Sequence, residues 1–324
     1  MILVVIEHEG GVPDRLSSEA LTLGTRLAEG TGSALAAVAW GSDAAGIGGW
    51  LAGAGGVGRL HVIDDPRLTD YAPEAIGKAL AQLVERDRPV AVVGPGSERG
   101  AEVMAHVAAR VRLPLAANCT DVRPGEPWEA TRQRWGGSLL EETRLDGPTR
   151  LLTAAPHAFE PASATAGSAR VASEAFVPDL DDRDFRVRIT SRVPAEAGKI
   201  SLADARVVVG GGRGVGSAEG FAQLDELASL LGGTVGVSRV VTSAGWRPHA
   251  QQVGQTGTRI APDLYIACGI SGAIQHIVGC RSAKAILAIN TDRDAPMVTR
   301  ATYAVIGDLH TVLPAVISAV KAAR

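Results

Sequence analysis

Two glycine-containing segments near the carboxyl end of the chain hold the residue types best suited to bind a ligand. In Gln252–Gly257, glycines flank an amide and a hydroxyl side chain, and Ser271–His276 combines small residues with a histidine. Glycines let backbone N–H groups approach a ligand closely, and a helix start offers N–H groups without partners in the helix. Together the segments predict a site for a large anionic cofactor that carries a ring.

Polar residues also recur where predicted strands of this region end. These positions are Arg213, Ser238, Arg239, Asn290 and Asp308. In an open parallel sheet, ligands bind at the carboxyl ends of the strands. The turn Gly210–Ser217 is dense in glycine but contains no G-x-G-x-x-G, so the standard dinucleotide fingerprint is absent. The convergence of several strand ends is therefore a stronger signal than any one motif.

No catalytic or metal-binding constellation is evident elsewhere. His8, His61, His106 and His157 lack metal-type spacing to one another or to Cys119. The turn Gly94–Gly100 between a strand and a helix has the form of a phosphate-binding turn, but Glu98 opposes an anion, and a plain connection is the favoured interpretation. The sequence thus predicts no metal and no catalytic residue.

Alternating apolar strands and amphipathic helices predict an α/β protein with parallel sheets. We expect two domains, residues 1–195 and 200–324, separated at the polar, Pro- and Gly-marked stretch Pro194–Lys199. The predicted strands are Met1–Ile6, Ala34–Trp40, Leu60–Ile63, Val90–Val93, Arg132–Trp135, Ser138–Glu142, Leu151–Thr153, Phe185–Ile189, Arg206–Val209, Thr234–Val237, Leu264–Cys268, Ala285–Ile289 and Ala304–Ile306. The predicted helices are one capped by Ser17 or Ser18 and ending at Gly30, then Ala44–Ala54, Pro73–Glu85, Ala101–Val111, Phe221–Leu231, Ser271–Gly279 and Leu309–Ala323.

The composition argues against nucleic acid or an anionic membrane as the main partner. The 324 residues include 32 Lys and Arg against 35 Asp and Glu, which gives a net charge of −3. There is no apolar run of about 18 residues, and the chain opens directly into a strand, so we expect no direct membrane insertion. Three cysteines without a C-x-x-C motif favour reduced thiols and a cytoplasmic, bacterial location.

From about Val207 to Val316 the chain closely resembles the C-terminal domain of the alpha subunit of electron transfer flavoprotein. The N-terminal part fits this family more loosely, through its opening strand and the passage from Arg110-Val111 to Thr120-Asp121. The segments that carry the main resemblance are Gly211–Gly214, Ser238-Arg239, Ala244–Trp246, Gln252–Gly257, Ala261–Tyr265, Gly269–His276, Ala288–Asn290 and Asp308-Leu309.

The resemblance implies an architecture and a function. It implies a Rossmann-like C-terminal domain that binds FAD, and an adenine-nucleotide-hydrolase-like N-terminal domain that contacts the partner and holds no cofactor of its own. It also implies a heterodimer with the electron transfer flavoprotein beta subunit. The complex would be an electron carrier and not an enzyme with its own substrate. It would pass electrons from donor dehydrogenases, of the acyl-CoA dehydrogenase type in fatty acid beta-oxidation, to a membrane quinone oxidoreductase.

The resemblance also assigns roles within the site. Arg239 would lie near the flavin ring and favour its anionic reduced forms, Thr256 would hydrogen-bond flavin N5, and His276 would stabilise negative charge near the pyrimidine O2. Ser271 and Gly272 would open a helix at the pyrophosphate, and Trp246 either stacks on a ring or fills the core. The full set implied to bind FAD is Arg213, Ser238, Arg239, Val253, Gly254, Gln255, Thr256, Ser271, Gly272, Ala273, Ile274, Gln275, His276, Asn290, Asp308 and Leu309.

Three alternatives remain at this point. One is a flavoenzyme that acts directly on a small substrate, for which His276 is the candidate acid or base. Another is a binding module without redox work. Within the electron-carrier hypothesis, simple transfer and electron bifurcation both remain, because a second flavin would be held largely by the beta subunit.

Overall fold

The computed structural model describes residues 1–54, 56–163, 170–191 and 200–323. Backbone packing divides the chain into two compact units, residues 1–192 and 193–324. The predicted boundary, Pro194–Lys199, lies outside the described residues.

The first unit contains a mixed sheet whose strands are connected mainly by helices. Its strands are β1 Ile2–Val5, β2 His8–Glu9, β3 Val12–Pro13, β4 Leu35–Trp40, β5 Val57–Ile63, β6 Ala91–Gly94, β7 Leu115–Arg123, β8 Trp128–Arg134, β9 Leu139–Leu145, β10 Arg150–Ala154 and β11 Ser173–Phe176. Its helices are α1 Arg15–Thr31, α2 Ile47–Ala54, α3 Pro73–Asp87 and α4 Glu98–Val111, with 3₁₀ turns at Ala44–Gly46, Trp135–Gly137 and Asp182–Phe185.

Within the described part of this unit, nine strands form one sheet in the order β11-β5-β4-β1-β6-β10-β7-β8-β9. All neighbours are parallel except β7–β8 and β8–β9, which are antiparallel. Strand β1 is fully buried because both faces of the sheet are covered: Ile2 packs toward α1 and α2, and Leu3 packs toward α3 and α4. The predicted α/β class and the antiparallel edge are confirmed.

Several predicted bounds in this unit are wrong. Helix α1 is capped by Asp14, whose carboxylate accepts from the Ser17 N–H at 2.6 Å, and it ends before Gly32 instead of at Gly30. The predicted strand Phe185–Ile189 does not form, because Asp181 caps a 3₁₀ turn over Asp182–Phe185. Strands β7 and β11 are not apolar enough for periodicity to reveal them.

The second unit is a parallel sheet with helices on both faces. Its strands are β12 Val207–Gly211, β13 Thr234–Val237, β14 Leu264–Cys268, β15 Ala285–Asn290 and β16 Tyr303–Ile306. Its helices are α5 Phe221–Leu230, α6 Arg239–Ser243, α7 Ile274–Cys280, α8 Pro296–Arg300 and α9 Leu309–Ala322, with 3₁₀ turns at Arg213–Val215 and His249–Gln251.

Within residues 200–323 the five strands run in the order β13-β12-β14-β15-β16, all parallel. Side chains of α5 and α9 pack on one face around Val209 and Ile266, and Met297 and Cys280 pack on the other around Val208 and Tyr265. The predicted bounds of β13 and β14 are confirmed. Because the strands are parallel, all their carboxyl ends meet at one edge of the sheet.

Candidate functional site

A cavity of about 510 Å³ lies at the carboxyl ends of the strands of the second unit. Loops from every strand contribute to it: residues 213–214 follow β12, 238–240 follow β13, 269–273 follow β14, 291–292 follow β15 and 307–308 follow β16. The segment Gln252–Thr256 closes another side. This is the position that the topology of an open parallel sheet assigns to a ligand.

Fifteen of the sixteen predicted cofactor-binding residues line this cavity. The exception is Ile274, whose side chain is 66% exposed and lies outside the lining residues of the described chain. Trp246 packs against the apolar core beside α5, so the core-filling alternative is the one observed. Lining residues that were not predicted are Gly214, Val240, Gln252, Gly269, Ile270, Ile289, Thr291, Asp292, Ala295 and Gly307. Most of these directly follow strands, and that position is the sequence signal that marks them.

The two glycine-containing segments meet through their backbones. The Gln255 N–H donates to the Gln275 carbonyl at 2.8 Å. A Cβ on Gly279 would lie 2.4 Å from both N and Cα of Gly254, so the contact between α7 and the loop requires glycine. The loop is closed by the Thr258 N–H, which donates to the Gln252 carbonyl at 2.7 Å. The segments Gln252–Gly257 and Ser271–His276 thus form one continuous wall of the cavity.

The second segment differs from its prediction, because its helix begins at Ile274 and not at Ser271. Gly272 has φ +82°, and an added Cβ would lie 2.5 Å from the Met297 nitrogen. The Met297 N–H donates to the Ser271 carbonyl at 3.1 Å and holds the segment as a loop. Within the described chain, the backbone N–H groups of residues 271–275 donate no hydrogen bond to another protein group. Five successive donors therefore lack a protein partner, and four of them, at residues 271–273 and 275, belong to residues that line the cavity and are available to an anion.

His276 is a buried imidazole in the wall of this site. The ring is 6% exposed, and Nε2 lies 2.8 Å from the hydroxyl of Tyr265, which is completely buried. Its Nδ1 is also buried and makes no well-aligned hydrogen bond within the described part of the chain. Burial lowers the pKa of His276 to about 4. The nearby Val253 carbonyl favours the protonated ring and raises the pKa by a smaller amount. His276 therefore lines the cavity without carrying charge at neutral pH.

The charged residues of the site are distributed over several loops. Arg213 and Arg239 are exposed at the ends of β12 and β13. Asp308 caps α9 by accepting from the His310 N–H at 3.0 Å. The Asn290 amide braces two loops, since Nδ2 donates to the Ile270 carbonyl at 3.1 Å and Oδ1 accepts from the Asp292 N–H at 3.1 Å. Asn290 therefore stabilises the loops after β14 and β15, in addition to any contact with a ligand.

The glycine-containing turn of the first unit is arranged differently. Ser97 caps α4 by accepting from the Gly100 N–H at 2.8 Å, and its hydroxyl donates to Glu7 Oε2 at 2.6 Å. Glu7 is 9% exposed, so a carboxyl group of the chain itself lies where a phosphate-binding turn would receive its anion. Burial raises the pKa of Glu7 to about 7; the Ser97 hydrogen bond opposes the rise, and the Asp14 carboxylate adds to it.

Glu7→Gln is expected to remove a pH-dependent loss of stability. Because the native state retains the Glu7 proton between about pH 4.5 and 7 while the unfolded chain releases it, stability falls as pH rises through this window. At pH 8 the free energy of unfolding of the variant should exceed that of the wild type by on the order of 1–2 kcal/mol, because a neutral amide replaces a buried carboxylate. Denaturant unfolding between pH 4 and 8 measures this effect. Glu85→Gln, at an exposed helix position, is the matched control; equal pH profiles for the two variants would contradict the account.

In the described chain, no helix combines the length and apolar character needed to cross a bilayer. The same residues contain no cluster of His, Cys, Asp and Glu that would suit a metal ion.

Comparison with known protein families identifies the class of domain to which the second unit belongs. Residues 201–281 match the model of the electron transfer flavoprotein FAD-binding domain. Residues 2–179 match the model of the electron transfer flavoprotein domain, which spans more than half of the chain. The second unit therefore contains an FAD-binding domain, and FAD is its cofactor.

Individual relatives match between 80% and 100% of this chain. The electron transfer flavoprotein subunit alpha of Mycobacterium tuberculosis is 36% identical over 323 residues, covering 100% of this chain and 99% of the relative. Protein FixB of Clostridium saccharobutylicum is 34% identical over 325 residues, covering 99% and 96%. The Bacillus subtilis subunit alpha is 35% identical over 260 residues, covering 80% and 79%. The chain belongs to the electron transfer flavoprotein alpha-subunit family.

Proposed function

We propose that this chain is the FAD-binding subunit of an electron carrier that forms a heterodimer with an electron transfer flavoprotein beta subunit. Its donors would be dehydrogenases of the acyl-CoA dehydrogenase type, and its acceptor a membrane quinone oxidoreductase. The observation that carries the proposal is the cavity itself, which is lined by backbone N–H groups without protein partners, by two arginines and by the Thr256 hydroxyl, and whose histidine has a pKa lowered to about 4.

The residues of the cavity fit FAD chemically. The free N–H groups of residues 271–275 suit a pyrophosphate, and the positive φ of Gly272 keeps that segment out of the helix. The donors of residues 271–273 belong to a loop, and those of Ile274 and Gln275 lie in the first turn of the short helix α7. Arg213 adds a positive charge on the same rim. Asn290 and Asp308 are assigned to the ribose and adenine end, where Asn290 also braces the loop.

Bound FAD supplies reversible uptake of electrons, and two residues would tune that property. The Arg239 guanidinium would stabilise negative charge on the ring, and the Thr256 hydroxyl would hydrogen-bond N5. His276 would act as a neutral wall of the pyrimidine end. A role for His276 through positive charge is not proposed, because burial lowers its pKa to about 4.

The same histidine argues against a flavoenzyme with its own substrate. A general base works best when its pKa lies near the operating pH, and His276 is far below it. Its Nε2 is also engaged by Tyr265. Electron transfer needs neither a base nor a substrate pocket beside the ring.

We further propose that the first unit contacts the beta subunit and holds no cofactor of its own. The buried Glu7 carboxyl, bound by Ser97, lies at the turn where a nucleotide phosphate would need an electropositive site. The three cysteines, Cys119, Cys268 and Cys280, are buried and unpaired in disulfides, which supports a reducing cytoplasmic location.

Reduction of the purified complex tests carrier against enzyme. The chain is co-expressed with its beta-subunit partner, and the visible flavin absorption is followed after an acyl-CoA is added, with and without an acyl-CoA dehydrogenase. The proposal predicts bleaching only when the dehydrogenase is present. Bleaching by the acyl-CoA alone would identify a flavoenzyme, and counting FAD per heterodimer separates simple transfer from bifurcation.

Arg239→Ala is expected to lower the reduction potential of the bound FAD. A positive charge near the ring favours the reduced anionic forms, and for an exposed guanidinium the effect is on the order of 1–2 kcal/mol, or about 40–90 mV for a one-electron couple. Potentiometric titration of the complex measures it. Arg239→Lys keeps a positive charge and should lower the reduction potential less than Arg239→Ala does. An unchanged potential in Arg239→Ala would show that Arg239 does not have this role.

A further inference from the structure

We propose that Gln252, held in place by Thr242, is a positioning residue that directs the proton of the Thr256 hydroxyl into the FAD cavity. This inference rests on the proposed function, in which Thr256 faces the redox-active part of the flavin ring. It concerns two side chains, Thr242 and Gln252, to which the family resemblance assigns no role toward the cofactor.

The three side chains form a continuous hydrogen-bonded relay. The Thr242 hydroxyl lies 2.7 Å from Gln252 Oε1, and Gln252 Nε2 lies 3.1 Å from Thr256 Oγ1. Gln252 is 2% exposed, so water does not compete for its amide. Thr256, at the other end, is exposed and lines the cavity. The relay therefore connects a buried amide to the ligand side of the site.

The orientation of the Gln252 amide gives the relay its direction. A separation of 2.7 Å is typical of an O–H···O hydrogen bond, and 3.1 Å of an N–H···O bond. In this arrangement the Thr242 hydroxyl donates to the amide oxygen and also lies 2.9 Å from the Arg239 carbonyl oxygen, and the amide nitrogen donates to Thr256. Because Thr256 Oγ1 already accepts this bond, its own proton is free for an acceptor in the cavity.

The backbone keeps Gln252 in this position. The Val253 N–H donates to the Val237 carbonyl at 2.9 Å, which joins the segment to the end of β13. The Gln252 N–H donates to the His249 carbonyl at 2.8 Å. Thr242 lies on α6, directly after the Ser238-Arg239 corner of the same cavity. The relay thus connects helix α6, which begins at Arg239, with the segment that contains Thr256.

The chemical consequence concerns the flavin N5. In the oxidised ring N5 has a lone pair and is a hydrogen-bond acceptor, so a hydroxyl committed to donating matches it. If the amide were reversed, Thr256 would donate to Gln252 Oε1 and present only lone pairs to N5. Loss of the relay removes the preference between these two states and weakens the bond to N5.

The experiment measures the N5 resonance of FAD labelled with ¹⁵N at that atom, and the FAD reduction potential, in the full heterodimer. The variants are Gln252→Met, which keeps the side-chain length without hydrogen bonding, and Thr242→Val. Both are expected to move the resonance in the same direction as Thr256→Val and no further, with FAD affinity reduced less than about tenfold. Thr242→Ser keeps the hydroxyl and should restore the wild-type resonance.

A double-mutant cycle separates positioning from general packing. In a Thr256→Val background, Gln252→Met is expected to leave the potential unchanged, because its only route to the ring has been removed. Equal effects of Gln252→Met in both backgrounds would overturn the relay. A wild-type complex that binds FAD, with an unmoved resonance in Thr242→Val and Gln252→Met, would also overturn it while leaving the proposed function intact. A wild-type complex that takes up no FAD would overturn both.

Discussion

Ser271→Asp is expected to weaken FAD binding at least about 100-fold. The free N–H groups of residues 271–273 and 275 are proposed to receive the pyrophosphate, and Ser271 is exposed at the start of this row. A carboxylate there would accept the same donors and repel the phosphates. A like-charge pair about 4 Å apart near a protein surface costs about 4 kcal/mol at an effective dielectric constant of 20, which solvent reduces but does not abolish. The measurement is a titration of the FAD-free heterodimer with FAD.

Two neutral variants at this position provide the controls. Ser271→Asn has nearly the shape of aspartate without its charge, and Ser271→Ala removes only the hydroxyl. Both should bind FAD within about tenfold of the wild type, because the donors belong to the backbone and remain. If the aspartate variant bound as tightly as the asparagine variant, the pyrophosphate would have to lie elsewhere in the cavity.

Gly279→Ala is expected to disrupt the wall shared by the two ligand-binding segments. The added methyl group would lie 2.4 Å from N and Cα of Gly254, and these are backbone atoms that cannot rotate away. The loop must move from α7, which costs about 2–3 kcal/mol in the free energy of unfolding of the second unit. FAD affinity should fall more than about tenfold, since Thr256 and Gln255 move with the loop.

Denaturant unfolding and FAD titration measure the two effects of Gly279→Ala. Gly49→Ala is the control, because Gly49 lies in helix α2 and an added Cβ meets no atom within 4 Å. That variant should be neutral or slightly stabilising. Wild-type stability and FAD affinity in Gly279→Ala would show that the contact between Gly254 and Gly279 is not required.

Local sequence predicts those parts of the fold that depend on one strong pattern. Strand β14 is predicted to the residue, because a continuous apolar run in a parallel sheet must be buried on both faces. The convergence of Arg213, Arg239 and Asp308 is also predictable, since parallel strands place all their carboxyl ends together. Most of the candidate site follows from this rule and from the family resemblance.

The remaining features depend on partners far along the chain. The start of α7 is predicted three residues too early, because the Ser271 carbonyl is held by Met297, which is distant in sequence. Tyr265 belongs to an apolar strand pattern, yet its hydroxyl engages the His276 ring. Neither the neutral state of this histidine nor the orientation of Gln252 can be deduced without these contacts. Hydrogen-bond direction depends on tertiary packing, and the hydrophobic periodicity of the sequence gives no information about it.

The FAD content of the purified heterodimer tests the central claim most directly. The chain is co-expressed with its beta-subunit partner, and bound FAD is released and quantified before and after incubation with excess FAD. The account predicts a yellow complex with FAD held at the second unit, and loss of this FAD in Ser271→Asp but not in Ser271→Asn. A correctly folded complex that remains colourless after incubation with FAD would contradict it.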